Sequence, residues 1–178
     1  MELELKYKIQ SFPKQKILDL GFQKKSESHQ IDNYYIVNQV LDEKRTYLRT
    51  REDKNKNTFS FDFHQIISIL ATDETEMKIC TKEDSTKLHR ILEALGYPIV
   101  CVIDKQREVY EKDDIKVVLD TVKNLGNFIE IEIEGIESQE NQSKLNNTAI
   151  LLGLNENDRV SKKGYPDLFL ETINTPTQ

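Results

Sequence analysis

Basic side chains recur at every second position in two short stretches of this chain: Arg49 with Arg51, and Lys105 with Arg107. Glu2, Glu4 and Lys6 repeat that spacing at the start, and Glu130, Glu132 and Glu134 repeat it late in the chain. Extended backbone has a two-residue period, so each set falls on one face of its strand. Arginine forks and lysine ammoniums gathered in this way suit a polyanion, above all phosphate oxygens. Carboxylates gathered beside them suit a hard divalent cation. A triphosphate with its metal needs both, because the phosphates carry about four negative charges and the metal bridges their oxygens. Lys6, Arg49, Arg51, Lys105 and Arg107 are then the phosphate-facing cations. Glu2, Glu4, Glu130 and Glu132 are candidate metal ligands, and Asp120, next to a turn, serves either the metal or the turn.

Strands must position these side chains. Residues 2–9 alternate strictly, with Glu2, Glu4, Lys6 and Lys8 on one side and Leu3, Leu5, Tyr7 and Ile9 on the other. Alternation and β-branched or aromatic content predict further strands near 31–37, 45–52, 57–64, 74–81, 99–110, 114–122 and 127–134. Residues 111–114 and 123–126 read as hairpin turns, and the short connections imply antiparallel pairing.

Helices are few. Phe12 to Leu20 stops at Gly21, Asp84 to Leu95 stops at Gly96, and Ser138 to Leu152 carries apolar residues at helical spacing. A last helical turn is expected near Pro166, and a disordered tail over 174–178. If the apolar strand faces pack against helices outside, the charged faces line an interior. The expected fold is a single α+β domain over 1–173, dominated by an eight-stranded antiparallel β tunnel, with all of the charged residues named above pointing into one cavity.

The ordered motifs resemble the CYTH superfamily, which includes class IV adenylyl cyclases and thiamine triphosphatases. Glu2, Glu4 and Lys6 resemble the ExExK motif that opens such proteins. Asp32, Tyr34 and Tyr35, then Arg49 and Arg51, then Glu74 and Glu76, then Lys105 and Arg107 follow in the family's order. Leu119 to Glu132 is similar in particular to class IV cyclases, and residues 161–168 to the family's terminal element. The resemblance spans essentially the whole chain. It implies catalytic roles for the five cations and Tyr34, substrate contacts that include Glu74, Glu76 and Lys78, and Mg²⁺ or Mn²⁺ as cofactor. Tyrosines in a strand are otherwise read as core. Family members are often dimers.

Two departures stand out. Family members carry a lysine at the end of a Thr-aromatic-Lys run, where this chain has Phe59, Ser60, Phe61 and Asp62. Hydrolysis that relies on that lysine is therefore not expected. Thr72 replaces an arginine that often precedes the Glu-x-Glu pair, with Lys78 on the same face as a substitute. An Asp62 that faces the phosphates would repel them, unless it holds a metal, which reverses the sign.

Composition excludes other classes. The net charge of −6 disfavours general nucleic-acid binding. No apolar run approaches the ~20 residues of a membrane span. The two cysteines, Cys80 and Cys101, read as buried thiols of a cytoplasmic protein. His29, His64 and His89 are scattered without ligand spacing, which argues against zinc. The functions expected, in order, are cyclisation of ATP, hydrolysis of thiamine triphosphate or tripolyphosphate, and non-catalytic triphosphate binding.

Overall fold

The structure, a computed structural model, describes residues 1–36, 46–160 and 163–174. Its strands are β1 (Glu2–Ile9), β2 (Gln23–Ile36), β3 (Thr46–Asp53), β4 (Thr58–Ile66), β5 (Ala71–Ile79), β6 (Ile99–Lys112), β7 (Ile115–Val122) and β8 (Gly126–Glu134). Its helices are α1 (Lys14–Asp19), α2 (Lys82–Ala94), α3 (Gln139–Leu152) and α4 (Tyr165–Asn174), with one 3-10 turn at Glu156–Asp158. The strands close as a barrel in the order β1-β5-β4-β3-β2-β6-β7-β8, with antiparallel ladders between β1 and β5, β1 and β8, β2 and β3, β3 and β4, β6 and β7, and β7 and β8. The α+β barrel expected from the alternation is therefore the fold. The chain divides into two compact units: residues 1–27, 68–72 and 105–162, and residues 28–67, 73–104 and 163–178.

In the first unit β1 pairs with β8 along its whole length, from Glu2 with Glu134 to Ile9 with Asn127. β7 joins β8 to β6 through two tight hairpins. Asp113 and Asn124 occupy the turns with positive φ (53° and 66°), a conformation Asp and Asn tolerate better than most residues. One sheet face is apolar. Leu3, Leu5, Tyr7, Val117, Leu119, Ile129, Ile131 and Ile133 are each buried to 2% exposure or less. They pack with Ile17 of α1 and with Leu145, Ala149 and Leu152 of α3. Ser138 caps α3 by accepting the Asn141 N–H, and Gly153, at φ 75°, ends it. Helices thus cover the apolar face, and the opposite face carries the charge.

In the second unit β3 lies between β2 and β4. Asp32 pairs with Arg51 and Tyr34 with Arg49, and across the other edge Arg49 pairs with Asp62 and Arg51 with Ser60. The β3–β4 hairpin closes on Asp53, whose Oδ1 accepts the N–H groups of Asn55 and Lys56 at 3.0 and 3.2 Å. Tyr35, on the face away from Arg49, reaches His89 of α2 with its hydroxyl. Tyr35 therefore belongs to the packing of helix on sheet, as strand aromatics usually do.

Several expectations need correction. β2 begins at Gln23, eight residues ahead of the expected start, and β6 runs on to Lys112, which shortens the turn to Asp113 and Asp114. α1 begins only at Lys14, after Pro13. Cys101 is buried but Cys80 is exposed, because β5 ends at Ile79 and releases the next side chain. Asn174 ends α4. The expected strand ends at 37 and 45, the start of the terminal motif at 161–162, and tail residues 175–178 lie outside the described residues.

Candidate functional site

The charged face of the first unit is assembled by register. Glu4 lies opposite Glu132 and Lys6 opposite Glu130 in the β1–β8 ladder. Arg107 lies opposite Asp120 in the β6–β7 ladder. Lys6 Nζ is 2.9 Å from Glu4 Oε1 and 3.1 Å from Glu130 Oε1. Arg107 donates Nε to Asp120 Oδ1 at 2.8 Å and Nη2 to Glu130 Oε2 at 2.6 Å; Nη2 also donates to Asp120 Oδ2. Lys105 Nζ stands 3.9 Å from Asp120 Oδ2. Lys6, Lys105, Asp120, Glu130 and Glu132 are all buried.

The electrostatics of these carboxylates diverge. Burial alone would raise the pKa of Glu130, but Lys6, Arg107 and Lys105 outweigh it and hold that carboxyl well below its usual range. Burial, and then the charge of Glu130, push Glu4 up to about 7. Burial and the charge of Glu2 push Glu132 well above the usual range. Burial opposes the charge on Lys6, yet Glu4 and Glu130 raise its pKa and keep it protonated. Glu4, Glu130 and Glu132 each bring a carboxylate oxygen within 4.8 Å of the others. Two of the three are under-neutralised by the protein's own cations, which is the condition a bound divalent ion would relieve. An all-oxygen donor set fits Mg²⁺ or Mn²⁺.

The second unit holds a separate cluster. Arg51 grips Asp32 through both arms of its fork, Nε to Oδ1 at 2.7 Å and Nη2 to Oδ2 at 2.8 Å. Arg49 donates Nε to Asp62 Oδ2 and Nη2 to Glu74 Oε1, each at 2.9 Å. Burial disfavours the Arg49 cation, but the charges of Asp32, Asp62 and Glu74 outweigh it and raise its pKa. Tyr34 is buried beside Arg49, and burial pushes its hydroxyl up to about 12, so it stays protonated. It also meets Tyr47 edge-on, with ring centroids 6.2 Å apart.

Of the residues singled out by spacing or by the resemblance, Glu4, Lys6, Lys105, Arg107, Asp120, Glu130 and Glu132 share one cluster, and Arg49, Arg51, Tyr34 and Glu74 another. Both oxygens of Asp120 engage Arg107, so Asp120 works as the partner of an arginine and is not in the metal-compatible trio. Glu2 shares the face of Glu4, opposite Thr72, and acts on the trio through its charge. Glu76 and Lys78 are exposed on β5, where Lys78 makes no ion pair among the described residues. Asp62 is fully buried on the Arg49 face. Sequence reasoning set His64 aside, yet a ring nitrogen of it lies within 4.8 Å of carboxylate oxygens of Asp62 and Glu74. Its signal was the same two-residue spacing, Asp62 to His64, that exposed the other pairs.

No described helix is long and apolar enough to cross a membrane. The chain is 32% identical, over 94% of its length and 98% of the other's, to a protein of Methanocaldococcus jannaschii named a candidate adenylate cyclase. A solved protein of Pyrococcus horikoshii matches with a TM-score of 0.83 and 26% identity, covering 94% of this chain and 99% of that one. A Hippeastrum protein, titled a candidate adenylyl cyclase with dominant triphosphatase activity, matches with a TM-score of 0.70 and 16% identity over 97% of this chain and 96% of its own. The CYTH domain family model matches residues 1–162, and this chain belongs to the CYTH family.

Proposed function

We propose that this protein is a metal-dependent enzyme acting on a triphosphate, and that its reaction is the cyclisation of ATP to cyclic AMP and pyrophosphate. The observation that carries the reading is the Glu4–Glu130–Glu132 trio hemmed by Lys6 and Arg107. Those carboxylates would hold Mg²⁺ or Mn²⁺, which supplies Lewis acidity toward phosphate oxygens and the ribose hydroxyl. Lys6, Lys105 and Arg107 would neutralise phosphate charge, and the guanidinium forks of Arg49 and Arg51 suit phosphate oxygens as well. Their existing carboxylate partners keep them charged and oriented until phosphate competes for the same N–H groups. In the reaction the 3′-oxygen bonds to the α-phosphorus, its proton passes to solvent, and pyrophosphate leaves with the electron pair of the broken P–O bond.

The M. jannaschii relative's name supports the cyclase reading. The Hippeastrum protein's title speaks for hydrolysis on the same fold, but at 16% identity it speaks for the fold alone. The test is product analysis on ATP, tripolyphosphate and thiamine triphosphate with Mg²⁺ and with Mn²⁺. Cyclic AMP is the expected product. Release of orthophosphate without cyclic AMP would replace cyclisation by hydrolysis, and binding without turnover would remove enzymatic function altogether.

A further inference from the structure

We infer that Asp62, His64 and Glu74 form a second divalent-cation site in the second unit, built from mixed nitrogen and oxygen donors. Asp62 is 0% exposed. Its Oδ2 receives Arg49 Nε at 2.9 Å and Ser60 Oγ at 3.4 Å. Its Oδ1 is sealed from solvent and has no hydrogen-bond partner among the described residues. Buried carboxylate oxygens are strong acceptors that are costly to leave unmet, and an orphan of this kind calls for an explanation.

The neighbours supply one. His64 follows Asp62 by two residues on β4 and so shares its face, and Glu74 arrives from β5. One donor atom from each of the three lies within 4.8 Å of the other two, and His64 Nε2 is 3.2 Å from Glu74 Oε1. Two carboxylates match the charge of a divalent ion, and a neutral imidazole adds a nitrogen lone pair without adding charge. Arg49 already binds one oxygen of Asp62 and one of Glu74, as outer-sphere donors do when they aim carboxylate ligands.

The donor set also selects the ion. Imidazole nitrogen favours zinc and similar transition ions over magnesium, which prefers oxygen alone. The site shares no residue with the Glu4–Glu130–Glu132 trio, so it stands whether or not the proposed reaction is correct.

The test uses the full chain and Zn²⁺ as probe. Titration is followed by ¹⁵N NMR of the imidazole rings, with His29 and His89 as internal references, in wild type and in Asp62→Asn, His64→Gln and Glu132→Gln. Zinc is expected to shift the His64 ring nitrogens in wild type and in Glu132→Gln. Asp62→Asn is expected to weaken zinc binding at His64 about tenfold or more, and His64→Gln assigns the His64 ring signals, with amide dispersion confirming the fold. His64 nitrogens that do not respond to zinc in wild type overturn the inference without any variant. So does a zinc affinity at His64 unchanged by Asp62→Asn.

Discussion

Lys6 and Glu130 face each other across β1 and β8, with Nζ 3.1 Å from Oε1 and side-chain exposures of 9% and 3%. Lys6→Met removes the cation and leaves Glu130 buried, bonded to Arg107 and still facing the charge of Lys105. Breaking a buried pair from one side costs about 3 kcal/mol or more. Urea denaturation of the metal-free variant should show that loss. An unchanged midpoint would mean that the pair is not closed to water in solution.

The metal ligands should separate from their neighbours. Glu4→Ala and Glu130→Ala each remove an oxygen of the trio, whereas Glu134→Ala removes a carboxylate that is 75% exposed and pairs with Lys116. The first two should weaken Mg²⁺ or Mn²⁺ dependence and activity about tenfold or more, and the third should leave both unchanged. Metal titrations that look alike for all three would reassign the ligands.

Arg51→Lys keeps the charge but loses the fork on Asp32. Lysine cannot reproduce two parallel N–H bonds, so about 1–2 kcal/mol of stability should go with it. Triphosphate affinity should fall as well, since a point charge meets fewer phosphate oxygens. Thermal unfolding and substrate titration read the two effects independently.

Much of this site could be read from periodicity, because a strand with one charged and one apolar face declares itself in β1, β3 and β8. What escaped was polar and buried together. Residues 23–30 carry no apolar alternation, so the predicted strand begins only near 31, yet they are strand and bury Ser28 and Gln30. His64 escaped because ligand spacing was sought along the chain, while one of its two partners, Glu74, comes from another strand. Pairing of Asp32 with Arg51, and of Asp120 with Arg107, depends on register that the sequence does not print.

The metal-free protein should lose stability as pH rises from about 5 toward 7. Burial above all pushes Glu4 up to about 7 from its ordinary 4.5, and it raises Glu132 too. Between those values the folded chain holds protons that the unfolded chain has released, so each unit of pH costs up to about 1.4 kcal/mol per group. Glu130 has the opposite shift, and its stabilisation is lost only in stronger acid, below this window. Melting temperatures at pH 5 and 8 should show the decline in chelator, and saturating Mn²⁺ should flatten it. A rising curve in chelator would contradict the raised carboxylates.

Asp62→Lys tests the second unit from the opposite direction. In chelator the substitution converts a buried negative charge beside Arg49 into a positive one. One unit-charge repulsion at about 4 Å and an effective dielectric near 20 is worth about 4 kcal/mol before screening. Tripolyphosphate should therefore bind the variant more tightly than wild type when no metal is present. With Mn²⁺ or Zn²⁺ the order should narrow or invert, because wild type then recruits a divalent ion through Asp62 that the lysine excludes. The outcome to look for in calorimetry is that interaction between variant and metal, not either affinity alone. Equal affinities with and without metal would place Asp62 outside any phosphate-facing position.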